Sequence, residues 1–302
     1  MDSQTPSTWS EKIFAAHRRR EGILLPATDT YRLVDGDGDS LGGLAIDVYA
    51  GHWLLQTRPG FVLPAFPPEF GYRSLFLKIL SARDRQAPIH LAGEPITEPF
   101  LAGENGMRFW INFQAGYSQG LFLDQRENRD EIRRTVAGQT VLNTFAYTCA
   151  FGVAAALGGA RTVNVDLSRH YLDWGRRNYE ANGLDPSRHD FIYGDALAWL
   201  RRFARRGERF DTVVLDPPTF SRDRKAGVFR IEEDYGMIVD LACAVLTKRG
   251  RLLCCANTHR LSAAQFRAIL RHALPARPSI IERRMPPDFP GSDYLKSFWV
   301  EW

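Results

Sequence analysis

The stretch "VLNTFAYTCAFGVAAALGGARTVNVD" (141–166) decides how this chain is built. A short apolar run enters a polar and aromatic loop, an alanine-rich segment follows, and a second apolar run ends at Asp166. The pattern predicts a strand over 140–145, a helix over 151–157 and a strand over 161–166, the repeating unit of a parallel sheet. The alternation continues downstream, with strands predicted at 189–193, 210–215 and 251–256. Helices are predicted at 169–182, 196–206, 231–247 and 262–273, and two last strands at 278–284 and 294–302. The fold class read from this is α/β, a parallel sheet covered on both faces.

The first hundred residues read differently. "STWSEKIFAAHRRREGI" (7–23) has capping residues and helical spacing. Residues 31–57 alternate around a Gly/Asp turn, as two strands do. "PGFVLPAFPPEFGY" (59–72) is a proline-rich loop, and "RSLFLKILSARD" (73–84) is read as a helix. "MRFWINFQAG" (107–116) then reads as a strand and "FLDQRENRDEIRRTVAG" (122–138) as a charged helix. The expected division is a small N-terminal α+β domain over 1–103 and a larger domain over 104–302.

With 302 residues, 44% hydrophobic and 25% charged, the composition is that of a globular enzyme. A formal charge of +4 permits a polyanionic partner without demanding one. The basic residues cluster in "HRRR" (17–20), "RRFARR" (201–206) and "ERR" (282–284), a lean towards nucleic acid. Cys149, Cys243, Cys254 and Cys255 have neither C-x-x-C nor framework spacing, so a cytoplasmic, reduced protein is expected. There is no signal-peptide pattern, no apolar run long enough for a membrane span and no histidine spacing suited to a metal.

In open parallel sheets, ligands bind at the carboxyl ends of the strands. Here the five predicted strands are followed by "NTFAYTCAFG", Asp166, Asp195, "DPPTF" (216–220) and "ANTH" (256–259). One aspartate there is commonly a helix cap, but three consecutive strand ends carry one. Asp166 stands where an acidic side chain accepts ribose hydroxyls. No G-x-G-x-x-G follows the first strand, which argues against a pyrophosphate and so against a nicotinamide dehydrogenase. S-Adenosylmethionine, with ribose and adenine but no phosphate, fits better. Asp166 would hold the ribose, Asp195 and Ala196 the adenine side, and the loop carrying Asn143, Phe145 and Tyr147 the methionine moiety.

Taken together, "GLFLDQRENR", "VLNTFAYTCAFG", "YGDALAWL" and "VVLDPPTFSR" resemble bacterial 23S ribosomal RNA large-subunit methyltransferases. The resemblance extends through "YRLVDGDGDSLGGLAIDVY" and "YLKSFWVEW". These S-adenosylmethionine-dependent enzymes make 5-methylcytidine or 7-methylguanosine. The resemblance implies a class I methyltransferase sheet, Rossmann-like, with an antiparallel last strand. It also implies that Phe122, Asp124 and Arg126 lie near the cofactor, with Asp216 facing its amino group; a plain strand-to-helix entry capped by Asp124 is the alternative for that segment. "DPPTFS" is most similar to the guanine-N7 branch.

Two departures stand out. The sequence reads as too short to contain the N-terminal RNA-binding PUA domain usual in the cytosine-C5 branch. The nucleophilic cysteine of that branch, which cytosine C5 chemistry requires, aligns with Asn257; Cys254 and Cys255 read as core strand residues and Cys149 as a lining of the cofactor pocket. Guanine N7 has a free lone pair and needs only orientation. Asp216, Pro217, Pro218, Phe220 and Asn257 are therefore the expected substrate-side residues, acting on a base splayed out of an RNA helix. His259 is read as a surface-loop residue. Cytosine-C5 transfer through one of the three cysteines, small-molecule methylation and non-catalytic RNA binding are the alternatives. The sequence leaves the modified atom, free RNA or ribosomal particle as substrate, and dimerisation through the small domain open.

Overall fold

The structure, a computed structural model, describes residues 6–80, 87–115, 118–223, 227–275 and 278–302, and the side chains of these except 6–8 and 220–230. The chain packs as two units, Met1–Arg126 with Pro286–Ser292, and Glu127–Met285 with Asp293–Trp302. The first therefore runs past the division expected at 103 and takes back a piece from near the C-terminus.

The first unit opens with α1 (Pro6–Glu21) and a sheet of β1 (Thr30–Asp35), β2 (Leu44–Tyr49), β3 (His52–Thr57), β4 (Ser74–Ile79) and β5 (Ile89–Gly93), in that order. A hairpin, β6 (Phe100–Glu104) and β7 (Met107–Ile111), follows. Residues beyond 103 stay here because Gly103 and Asp29 exchange hydrogen bonds, N–H to carbonyl at 3.0 Å and N–H to carboxylate at 2.6 Å. Ile13 and Ala16 of α1 pack on Leu33, Ile46, Leu55 and Trp53 of the sheet.

Residues 74–79, expected in a helix, form β4 instead, parallel to β3 and antiparallel to β5. "SLFLKI" suits either state locally, and two strands offering backbone partners decided it.

A buried ionic network binds the returning segment. Arg20 donates to both carboxylate oxygens of Asp39 at 2.6 Å and to the Asp288 carbonyl at 2.9 Å. The Asp288 carboxylate accepts from both Nη atoms of Arg126 and from the Arg32 backbone at 2.8 Å.

The second unit begins after the first residue of α2 (Arg126–Thr135) and runs β8 (Thr140–Thr144), α3 (Ala150–Leu157), β9 (Arg161–Asp166), α4 (Arg169–Ala181), β10 (Asp190–Tyr193), α5 (Ala196–Arg206), β11 (Phe210–Leu215), β12 (Phe220–Asp223), β13 (Gly227–Arg230), α6 (Ile231–Cys243), β14 (Leu246–Asn257), α7 (Ala263–Ala273), β15 (Ser279–Arg283) and β16 (Leu295–Glu301). Its seven-stranded sheet has the order β10-β9-β8-β11-β14-β16-β15. Strands β10 to β14 are parallel, and β16 pairs antiparallel with both its neighbours. The last strand is thus antiparallel, as expected. Strand order reverses between β8 and β11, which makes their carboxyl ends the switch point where such sheets bind ligands.

Side-chain caps start α4, α5 and α7: Ser168 accepts from Tyr171, Asp195 from Ala198, and Ser262 forms a capping box with Gln265. The helix expected to run to 247 stops at Cys243, because Leu246 already pairs with Phe210 in the sheet.

Candidate functional site

The loop after β8 is unusual in its backbone. Phe145, Tyr147 and Cys149 all have positive φ, at 54°, 49° and 60°. Each non-glycine residue so placed costs roughly 1–2 kcal/mol, a strain that persists only where surrounding structure enforces it. Here the Ala146 N–H donates to the Val165 carbonyl at 3.0 Å and the Cys149 N–H to that of Ala146 at 2.7 Å. The Asn178 amide of α4 holds the Thr148 carbonyl at 2.9 Å. Cys149 is fully buried, with its Sγ against Gly175 of α4. It lies in the interior rather than lining a pocket as expected.

Asp166 ties this loop to β9. One carboxylate oxygen accepts the Tyr147 N–H and the other the Ser168 N–H, both at 2.8 Å. Burial pushes its pKa up, and these two hydrogen bonds only partly oppose that. Beside it Leu167 stands 48% exposed, a large apolar side chain suited to a flat ring. Asp195 caps α5 through the Ala198 N–H at 2.8 Å, and Ala196 is buried. Gly194 before it has φ +151°, and a Cβ there would meet the Trp199 ring.

At β11, Leu215 lies opposite Thr144 of β8 and Cys254 of β14, so the following Asp216 emerges at the switch point. Pro217 is buried and Pro218 exposed. Neither has an N–H to extend the strand, so the chain turns out of the sheet. Two supports were not foreseen from the sequence. The Tyr235 hydroxyl of α6 donates to the Leu215 carbonyl at 3.0 Å, and the Thr219 hydroxyl donates to the Asn257 carbonyl. Asn257, half-buried, ends β14 at the same edge. The Lys296 ammonium holds the next carbonyl, that of Thr258, at 2.8 Å. Lone polar residues on separate elements leave no spacing signal by which these could be found.

Strand register thus brings Phe145, Tyr147, Asp166, Asp195, Asp216 and Asn257 to the carboxyl edge of one sheet. Asn143 is not among them: it is 1% exposed, and its amide donates at 3.0 Å to Asn164, which bonds in turn to Tyr179. Phe122, Asp124 and Arg126 belong to the first unit. Asp124 lies in a short 3-10 turn before α2, and the Arg126 guanidinium is held by Asp288. The Phe220 side chain lies outside the described residues, although its backbone opens β12. The His259 side chain is 76% exposed.

Cys254 and Cys255 are fully buried within β14, and burial raises the Cys254 thiol pKa well above its usual range. Among the described residues no cluster of His, Cys, Asp and Glu could hold a metal ion, and no helix is long and apolar enough to cross a membrane.

A parallel sheet with an antiparallel strand beside its end, a glycine-free loop after its first strand and acidic strand ends define a nucleoside-binding α/β enzyme of the methyltransferase class. The chain belongs to the S-adenosylmethionine-dependent methyltransferase family, whose profile matches residues 63–298. It is 35% identical over 258 residues to ribosomal RNA large subunit methyltransferase I of Aeromonas salmonicida, covering 80% of this chain and 64% of that one. It is 41% identical over 157 residues to ribosomal RNA large subunit methyltransferase K of Neisseria meningitidis, covering 51% of this chain and 44% of that one. The chain thus spans less than two thirds of each of these relatives. The crystal structure of SMU.776 complexed with SAH superposes with a TM-score of 0.89 at 27% identity, over all of this chain and 83% of that one.

Proposed function

We propose that this chain methylates a base nitrogen in ribosomal RNA, guanine N7 or another purine nitrogen, with S-adenosylmethionine as methyl donor. The observation that carries the choice of atom is the state of the cysteines. Cytosine C5 becomes nucleophilic only after a thiolate adds to the ring. Cys149, Cys254 and Cys255 have no exposed surface, and Asn257 stands at the end of β14. A purine nitrogen with its own lone pair needs no such adduct. The ribosomal RNA substrate is carried over from the names of the two relatives.

The fit of the cofactor rests on the strained loop at Phe145 and Tyr147, on Asp166 and on exposed Leu167. Asp166 would take the ribose and Asp195 with Ala196 the adenine side. The bound cofactor supplies an electrophilic methyl. Asp216 and Asn257 then orient the base, and the two prolines hold the carboxylate with little conformational freedom. Transfer to N7 would form one N–C bond as the donor's S–CH3 bond breaks, leaving S-adenosylhomocysteine and passing the positive charge to the base. It requires no proton removal, so no general base is assigned.

The test is transfer of labelled methyl to unmodified large-subunit ribosomal RNA, read by nucleoside mass spectrometry. A methylated purine is the expected product. 5-Methylcytidine would overturn the choice of atom, and cofactor binding without any RNA product would overturn the substrate class.

A further inference from the structure

Of the three basic clusters in the sequence, two are substantially engaged within the fold. In "HRRR", Arg19 and Arg20 pair with Asp39, and Arg20 is buried. In "ERR", Arg283 is held by both oxygens of Glu131 at 2.7 and 2.9 Å. The third is different. On α5, Leu200 and Phe203 face the core while Arg201, Arg202, Arg205 and Arg206 all face solvent. Among the described residues, the only carboxylate partner of these four is Glu208, 3.5 Å from Arg206 and itself exposed. The Arg201 guanidinium reaches the Met237 sulfur at 3.8 Å, and Arg202 lies over the Trp199 ring.

Arg201 and Arg205, and Arg202 and Arg206, are like-charged neighbours one turn apart, an arrangement that destabilises an isolated helix. Arginines in the last turn are favoured by the helix dipole, which accounts for Arg205 and Arg206 but not for Arg201 and Arg202. The charge also continues beyond the helix. Arg209 follows, and Lys248 and Arg249, both exposed, lie in the segment after Leu246, which pairs with Phe210. The nearby Asp211 is engaged with the Thr140 N–H and the Thr247 hydroxyl.

We propose that the outer face of α5, with Arg209, Lys248 and Arg249, docks the phosphate backbone of the RNA substrate at a distance from the reacting base. The inference rests on the reading of RNA as substrate and adds a second contact region to it. Between Arg209 and Asp216 lies the whole of β11, so at about 3.3 Å per residue the two regions are roughly 20 Å apart. A folded RNA spans that distance, and an oligonucleotide a few residues long does not. Arginine forks match phosphate oxygens, and such contacts position RNA without reading its sequence.

The experiment compares the wild type with the R201Q/R202Q/R205Q/R206Q variant, whose changes are exposed and keep good helix formers. Binding of an unmodified large-subunit ribosomal RNA transcript is measured by anisotropy across a salt series, beside methyl transfer to that transcript and to a short oligonucleotide carrying the target base. The expected variant binds the transcript at least about tenfold more weakly at low salt, with a salt slope shallower by roughly 0.7–0.9 for each phosphate that the protein no longer neutralises. Its KM for the transcript rises with little change in kcat, while S-adenosylmethionine affinity and activity on the short oligonucleotide stay at wild-type values. Equal affinity and equal slope in an active wild type and variant would overturn the docking face and leave the proposed function standing. A wild type that binds the transcript through this face yet methylates no RNA would overturn the proposed function, and would overturn the face as a substrate-docking site while leaving it an RNA-binding one. No transcript binding by the wild type at low salt would overturn both.

Discussion

Three thiols lie at or near the strand ends and are fully buried, and the proposed function gives them no part in the chemistry. A thiolate must be exposed and charged to attack a base, whereas desolvation holds Cys149 and Cys254 protonated. Changing Cys149, Cys254 or Cys255 singly to alanine is expected to leave kcat within about threefold of wild type once folding is matched, with stability losses of roughly 1 kcal/mol for the strand cysteines. Loss of methyl transfer in a folded, cofactor-binding variant would reinstate covalent catalysis. Asn257→Ala, in contrast, removes a polar group proposed to face the base. Its kcat/KM is expected to fall about 10–100-fold, the worth of one hydrogen bond in an oriented complex, with unchanged S-adenosylmethionine affinity by calorimetry.

Elements make the loop after β8 what it is. Gly175 lies on α4 where a Cβ would come within 2.9 Å of the Cys149 Cβ and closer still to its sulfur. Gly175→Ala must therefore push the strained loop outward or shift the helix. The expected cost is about 1–3 kcal/mol of stability by denaturant titration, with weaker S-adenosylmethionine binding. A variant stable and binding as wild type would show that the loop conformation does not depend on this packing. In the first unit, His52 of β3 is 4% exposed and lies 2.8 Å from the Ser74 hydroxyl. Burial, with Arg73 adding to it and Glu94 opposing, lowers its pKa from 6.5 to about 4. The unfolded imidazole takes up a proton near 6.5 and the folded one only near 4. This contribution to stability is therefore complete above pH 6.5 and is lost as pH falls towards 4, by at most ~3 kcal/mol. Urea midpoints of wild type and His52→Gln at neutral pH and near pH 4 check this: the wild type should lose more. Parallel losses would remove His52 as the titrating group.

On the scale of the chain, the segment 286–292 belongs to a unit whose other residues end at Arg126. Asp288 secures it, its carboxylate fully buried against Arg126 and the Arg32 backbone. Asp288→Ala leaves a buried guanidinium without this partner and should cost about 3–5 kcal/mol. Hydrogen exchange should then rise in β1 and in the turn before α2, while β8 to β14 keep their protection. Uniform protection throughout would mean that the network is not what holds this segment.

How much was legible follows from where the information lies. Alternation of apolar runs and capped helices is local, so the strands of the seven-stranded sheet and the helices between them could be read directly from the residues, as could the acidic residues at strand ends; the β12–β13 pair was not. The sequence by itself determined the α/β sheet, the absence of a glycine fingerprint after β8 and the position of Asp166, Asp195, Asp216 and Asn257 at or just after strand ends. Tertiary structure decided what depends on partners distant in the chain. It turned "SLFLKI" into β4 because β3 and β5 offered backbone hydrogen bonds. It drew Asn143 into a buried amide network, bound Arg126 to Asp288, and withdrew the cysteines from the site. It also engaged two basic clusters with carboxylates and left the four arginines of α5 facing water. A side chain's type is written in the sequence, but its burial and its hydrogen-bond partner are properties of the packed chain.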